Sequence, residues 1–249
     1  MHRSPLVILG TGGSGTRVFT RLAEAAGRCM GAHQSEGAHD ALALYWLAER
    51  WCGEIYTAWR RSEEMDLAGF DAELKPCVEV HLIEAEPEAP WGWKQPRSLY
   101  LLPALLHSYP DLLVVHVIRD GRDIAFGSEH RLKMAGSYAV PEWARDLPTE
   151  VKLALLWDEP NRLAADFCEK NLGERYLRLR LEDVCANPEA TAARLANFAE
   201  GAEIAPARVH SIVETPASLG RWRGRDPALV DEVEHAAGEG LARFGYAGA

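Results

Sequence analysis

The segment Gly10-Thr-Gly-Gly-Ser-Gly-Thr-Arg17 is the first whose residue types could do chemistry. Glycines let a backbone wrap closely around an anion, and a helix beginning at Thr16 would add open N–H groups and a favourable dipole. Ser14 and Thr16 supply hydroxyl donors, and Arg17 supplies a cation able to form two bonds at once. The alternative is a plain tight strand-to-helix turn. The spacing from Gly10 to Gly15 matches a G-x-x-x-x-G-K-S/T loop, but Thr16-Arg17 stands where the lysine and the magnesium-binding hydroxyl belong. A dinucleotide reading of Gly10, Gly12 and Gly15 fails for want of an acidic residue on a second strand at the expected place. A triphosphate is therefore a poor match for this loop.

Two further segments suit an anion. Arg119-Asp-Gly-Arg-Asp123 follows the strongest apolar run in the chain, Leu112 to Ile118. An arginine at the C-terminal edge of a parallel strand is where open α/β sheets bind ligands. Gly220-Arg-Trp-Arg-Gly-Arg225 is a basic loop in an acidic protein. One basic cluster alone reads as a solvated face, but three anion-suited segments in one chain point to a site.

The elements that must position these residues follow from apolar patterning. Leu6 to Leu9 reads as a short buried strand and Thr16 to Ala26 as a helix with Val18, Phe19, Leu22 and Ala26 on one side. Ala41 to Arg60 is helical and rich in Trp and Tyr. Val78 to Ile83 and Trp91 to Lys94 read as strands, Ser98 to Ser108 as a helix and Leu112 to Ile118 as a strand. Thr149 to Leu172 is helical with an irregularity expected at Pro160 and a stop at Gly173. Tyr176 to Leu181 is a strand, after which Asn187 caps a helix with Pro188 at its first position. Strands alternating with helices predict an α/β fold, a central mostly parallel sheet flanked by helices, in one domain over residues 1–249.

In order and spacing these motifs resemble the nucleotide-dependent sulfotransferase family, over most of the chain. Ser14-Gly15-Thr16 is similar to the core of the family's 5′-phosphosulfate loop. Arg119-Asp-Gly-Arg-Asp resembles its 3′-phosphate motif, R-N/D-x-K/R-D after a strand. Trp93-Lys94-Gln-Pro96 resembles the lysine-bearing segment that enters the active site. Glu182 to Phe198 is similar to its E-D-L…P…F helix entry, and Arg221-Trp222-Arg223-Gly224 to the C-terminal loop over the 3′-phosphate.

The resemblance implies a P-loop-like sulfotransferase architecture, a sulfuryl donor in 3′-phosphoadenosine 5′-phosphosulfate, adenosine 3′,5′-bisphosphate as product, and no metal. It implies that Gly12, Gly13, Ser14, Gly15, Thr16 and Arg17 hold the 5′ end of the cofactor. Arg119 and Ser128 would hold the 3′-phosphate, with Arg221, Trp222 and Arg223 closing over it. The chain departs from the pattern at Gly13, where many members carry a lysine or arginine. It departs again at Gly127, where a serine is common (Ser128 follows one step later), and at Pro96, where the cytosolic branch has a histidine base.

Some cation must then serve the leaving oxygen, with Lys94 first and Arg17 second. A cation–π contact at the surface is the bland alternative for Lys94. The acceptor's proton needs a base, for which Glu36, His39, Asp40, Glu79 and His81 are candidates and Asp40 and His39 are favoured. Rival readings are a P-loop small-molecule kinase and a non-catalytic nucleotide-binding module of the same fold.

Bulk composition narrows the partners. The chain has 249 residues, 47% hydrophobic and 26% charged, as globular proteins do, and its net charge of −10 argues against nucleic acid and polyanionic glycans. A small molecule, glycoside or lipid-linked acceptor is expected, a carbohydrate among them. Trp46, Trp51, Trp59, Trp91 and Trp93 with Tyr45 and Tyr56 are candidates for its pocket, though Trp46, at helical spacing with Tyr45 nearby, reads as core. Five scattered cysteines (Cys29, Cys52, Cys77, Cys168, Cys185) without a C-x-x-C pair suit a reduced, cytoplasmic setting. No apolar run reaches the length of a membrane segment.

Overall fold

In the computed structural model, which describes residues 4–86, 88–127, 138 and 140–248, four parallel strands carry the site. They are β1 (Leu6–Leu9), β2 (Gly92–Lys94), β3 (Leu113–Ile118) and β4 (Tyr176–Arg180), paired in the order β2-β1-β3-β4. Leu6 stands opposite Gly92 on one side and Leu113 on the other. All four β1 residues are fully buried, so the strand needs no polar alternation. Leu6 and Ile8 pack with Phe19, Leu22, Val115 and Val117 on one face of the sheet. Val7 and Leu9 pack with Leu44, Leu47, Trp91 and Trp93 on the other.

Helices cover both faces. α1 (Thr16–Ala25) buries Phe19, Leu22 and Ala23, and α2 (Leu42–Arg61) buries Leu44, Leu47, Ala48, Trp51 and Ile55 at helical spacing. α3 (Ala68–His81) packs against α2. A tight 3₁₀ turn, Pro96–Leu101, leads into α4 (Leu102–Ser108). α5 (Gly121–Ala125) follows β3, and α6 (Thr149–Asn171) packs on it. Beyond residue 203, helices Pro227–Ala236 and Gly238–Arg243 settle on α6 around Trp157, Phe244 and Tyr246. No helix among the described residues is long and apolar enough to cross a membrane.

The chain leaves β1 for β2 on one side and returns to β3 on the other. The C-terminal ends of β1 and β3 therefore flank the point where strand order reverses, which is the ligand crevice of open α/β sheets.

Two expectations need correction. Val78 to Ile83 is not a strand: it is the end of α3 and the turn after it. The β-branched pair Val78 and Val80 suggested a strand, but the buried positions are Phe70, Leu74, Val78 and His81, a helical period that overrides local preference. Glu79 and His81 accordingly sit on a helix. Trp46 is 74% exposed, because Leu47 and Ala48 take the core stripe of α2. Asn187 does occupy the N-cap of helix Pro188–Phe198, but without a side-chain capping bond, and α6 runs on past Pro160 to Asn171.

Gly10 leaves β1 in tight contact with β3, where an added Cβ would stand 2.4 Å from the Val117 carbonyl oxygen. Backbone atoms cannot yield as a side chain can. Gly10→Ala should lower stability by about 2–3 kcal/mol, seen as an earlier urea midpoint with unchanged slope. An unchanged midpoint would show that the strand ends are free to separate.

Candidate active site

The loop between β1 and α1 turns back on itself through the Ser14 N–H, which donates to Thr11 O at 3.1 Å. Gly13 and Gly15 take left-handed conformations, φ 91° and 87°. Gly15 caps α1 without any side-chain bond, and the first turn carries no acidic residue. That turn borders a cavity of about 490 Å³. Gly12, Gly13, Gly15, Thr16 and Arg17 line it, as does Thr11. Ser14 is fully buried instead, its hydroxyl 3.1 Å from that of Thr11.

Under the loop runs a chain of buried polar groups. The Asn161 amide donates to Trp157 O at 2.7 Å and reaches the Thr11 hydroxyl at 3.5 Å. Its oxygen accepts from His116 Nε2 at 2.9 Å, and His116 Nδ1 lies 2.9 Å from the Tyr176 hydroxyl. With Nε2 donating, Nδ1 accepts from Tyr176, so both nitrogens are satisfied by a neutral ring. Complete burial pushes the His116 pKa down to about 4.

Across the cavity, the end of β2 delivers Lys94. Its ammonium is bonded to the Asp40 carboxylate and to Ala38 O, and the residue is only 2% exposed. Burial lowers the lysine's pKa, while Asp40 opposes the shift. Arg17 bonds the neighbouring carbonyl, Gly37 O, at 2.8 Å. The two candidate cations thus hold consecutive carbonyls of one segment, and Gly37, Ala38 and Asp40 all line the cavity. Lys94 is no surface cation–π contact: Trp91 and Trp93 beside it are buried in the core.

His39 is drawn aside, its Nδ1 2.9 Å from Gln34 Oε1, and does not line the cavity. Glu36 and Glu79 are exposed outside it. His81 is buried, donating from Nε2 to Gly92 O at 2.9 Å, with its pKa lowered by burial. Of the base candidates, only Asp40 is brought to the cavity.

The second cluster sits behind the loop. Arg119, 3% exposed at the end of β3, reaches Gly13 O at 3.3 Å, Asp123 at 3.0 Å and the Ser218 hydroxyl at 3.1 Å. Its Nε has no hydrogen-bond partner among the described residues. Asp123 also accepts from the Gly220 N–H at 2.8 Å, which ties the 220s segment to the arginine motif. Arg221 donates from Nε to Ser218 O at 3.1 Å, and its pKa is lowered by burial and then by Arg119, with Arg225 adding to the effect. Arg223 is exposed and stacks over Trp222 at 5.0 Å. Trp222 in turn covers Arg122 at 3.8 Å. Ser128 lies outside the described residues.

Sequence reasoning passed over Gln95, Arg97, Tyr100 and Leu156, which complete the cavity with Tyr45 and Pro96. Gln95 and Arg97 belong to the run after Lys94, whose polarity beside a strand end was the available signal. Of the other candidate pocket aromatics, Trp51, Trp91, Trp93 and Tyr56 are buried in the core.

The sulfotransferase family model matches residues 5–203, most of the chain and all of the sheet. The chain belongs to the sulfotransferase family. No curated protein sequence matches it closely. Among solved structures, a sulfotransferase of Mycobacterium avium superposes with a TM-score of 0.62 at 14% identity, over 98% of this chain and 77% of its own. The sulfotransferase domain of the olefin synthase of Synechococcus PCC 7002 gives 0.55 at 16%, over 96% and 95%. These likenesses establish the P-loop-like sulfotransferase fold, and the family membership makes sulfuryl transfer the general reaction.

The neutral ring of His116 supports the sulfotransferase loop at a cost in acid. Unfolded, the ring takes a proton near its ordinary value of 6.5; folded, not until about 4. Stability is therefore lost as pH falls through that window. His116→Gln should abolish about 2 kcal/mol of the stability difference between pH 7 and pH 5, measured by urea unfolding. An identical pH dependence in wild type and variant would contradict the burial of a neutral ring.

Proposed function

We propose that this sulfotransferase uses 3′-phosphoadenosine 5′-phosphosulfate and transfers its sulfuryl group to a hydroxyl, or an amine, of a small-molecule, glycoside or lipid-linked acceptor. The observation that carries the reading is one cavity lined jointly by the glycine loop, by the Lys94–Asp40 pair and by Tyr45, Pro96, Tyr100 and Leu156.

The residues suit a doubly anionic nucleotide. The N-terminal turn of α1 and the Thr11 and Thr16 side chains form a cradle for the 5′ end, and glycine is required at positions 10 and 15 because an added Cβ would meet the Val117 carbonyl and the Leu181 side chain. Buried Arg119 with an unpartnered Nε, next to Arg221, concentrates positive charge for a 3′-phosphate. When bound, the nucleotide supplies the sulfuryl group and leaves as adenosine 3′,5′-bisphosphate.

Asp40 would accept the proton of the acceptor hydroxyl, freeing the acceptor's oxygen to take the sulfuryl group that the nucleotide would supply. Lys94 and Arg17 neutralise the charge that develops on the departing phosphate oxygen, the task that Gly13 leaves open in the loop itself. Holding Lys94 nearly dry makes its charge more effective there. Arg17 and Lys94 give up the carbonyls of Gly37 and Ala38 to do so. Tyr45, Pro96, Tyr100 and Leu156 exclude water from the acceptor.

Lys94→Met, which keeps the buried stem, should lower kcat for radiolabelled sulfate transfer by about 100-fold or more while bisphosphate affinity changes by less than about threefold. Arg119→Ala should do the reverse, weakening bisphosphate binding by about tenfold or more. Equal loss of turnover and affinity in the Lys94 variant would reduce Lys94 to a binding residue.

A further inference from the structure

We propose that Leu42 and Trp46 form an outer acceptor subsite, selecting a hydroxy compound whose apolar tail leaves the cavity over Tyr45 and lies along α2. The inference rests on the sulfotransferase reading of the cavity and narrows its acceptor class.

Trp46 is 74% exposed and Leu42 46%, both unusual for apolar side chains of this size. Leu42, Tyr45 and Trp46 stand three and four residues apart on α2, so they are neighbours on its surface. Tyr45 is half-buried and lines the cavity. The Trp46 ring meets it edge-on, with ring centres 5.4 Å apart and planes at 90°. The apolar wall formed by Tyr45, Pro96, Tyr100 and Leu156 therefore does not end at the cavity, but passes through Tyr45 to Trp46 and Leu42 outside.

This path stays apolar because the nearby charges are engaged elsewhere. Arg97 lies over the Tyr45 ring at 4.7 Å and is bonded to Glu49, which holds the tyrosine in place and neutralises the next turn of the helix. Arg50 lies over Trp51 at 4.5 Å and pairs with Glu54 at 3.6 Å.

The size of the patch decides what covers it. Leu42 and Trp46 expose roughly 250 Å² between them, far below the roughly 800 Å² that each partner gives to a stable protein interface. An anionic membrane surface would be repelled by a net charge of −10. A flexible chain of several methylenes, continuous with a head group inside the cavity, matches both the area and the path.

Three phenols test this, each below its micelle-forming concentration: 4-methylphenol, 4-butylphenol and 4-octylphenol. In the wild type, kcat/KM should rise by about tenfold or more from methyl to octyl. Trp46→Ser should lower kcat/KM for 4-octylphenol by about fivefold and for 4-methylphenol by less than about twofold, and Leu42→Ser should act in the same direction. Trp46→Phe should restore most of the octyl preference, and unaltered bisphosphate affinity reports that each variant is folded. Equal use of the three phenols by the wild type, equal loss for methyl and octyl in Trp46→Ser, or an undiminished octyl preference in both serine variants overturns the proposal. So does a wild-type dimer that Trp46→Ser converts to monomer in sedimentation, since the face would then belong to a second copy. Failure of all three phenols to be sulfated by a protein that still binds the bisphosphate overturns it as well. Failure to bind the bisphosphate at all overturns the donor reading instead.

Discussion

The parallel pairing of β1 with β3 is the contact on which the rest depends. Four register pairs, from Leu6 with Leu113 to Leu9 with His116, bring two strand ends to one edge of the sheet. One end releases the glycine loop and the other releases Arg119, which then bonds the loop at Gly13 O. The pair is so close at its end that only glycine fits at position 10. Two anion-suited segments, 106 residues apart between Gly13 and Arg119, thus become adjacent in space without either being long.

Electrostatics inside the site run opposite to the whole. A chain of net charge −10 places Arg17 and Lys94 on the cavity and Arg119 with Arg221 behind its glycine loop. Two of these are nearly fully buried, and neither is left uncompensated. Asp40 faces Lys94 and Asp123 faces Arg119, which keeps the empty site foldable. The compensation also differs in kind: Asp40 is open to the cavity and suited to move a proton, whereas Asp123 is 1% exposed and locks the 220s segment onto the arginine motif.

Much of this was legible in the residues. Loop, arginine motif and Lys94 were readable because glycine, strand-end arginine and apolar runs carry local physical meaning. The strand misassigned at Val78 to Ile83 failed because short β-branched runs do not reveal whether their burial repeats every two residues or every three to four. Trp46 failed because one turn of α2 offers several apolar residues and only packing decides which face the core. Ser14 shows a different gap. Its type announces a phosphate ligand, but the fold turns its hydroxyl inward toward Thr11 and gives the cavity to its neighbours. His116, Asn161 and Tyr176 were invisible as a chain, since they come from three separate elements and only strand register joins them.

In the proposed function, the crevice between β1 and β3 recognises a nucleotide by both its 5′ and its 3′ anionic groups. Calorimetric titration of the unmodified protein with adenosine 3′,5′-bisphosphate, adenosine 5′-monophosphate and magnesium ATP tests it most directly. The bisphosphate should bind at least about tenfold more tightly than the monophosphate, since Arg119 and Arg221 have a 3′-phosphate to meet only in the former. Equal affinity for the two, or preference for magnesium ATP, would show that the crevice does not read a 3′-phosphate.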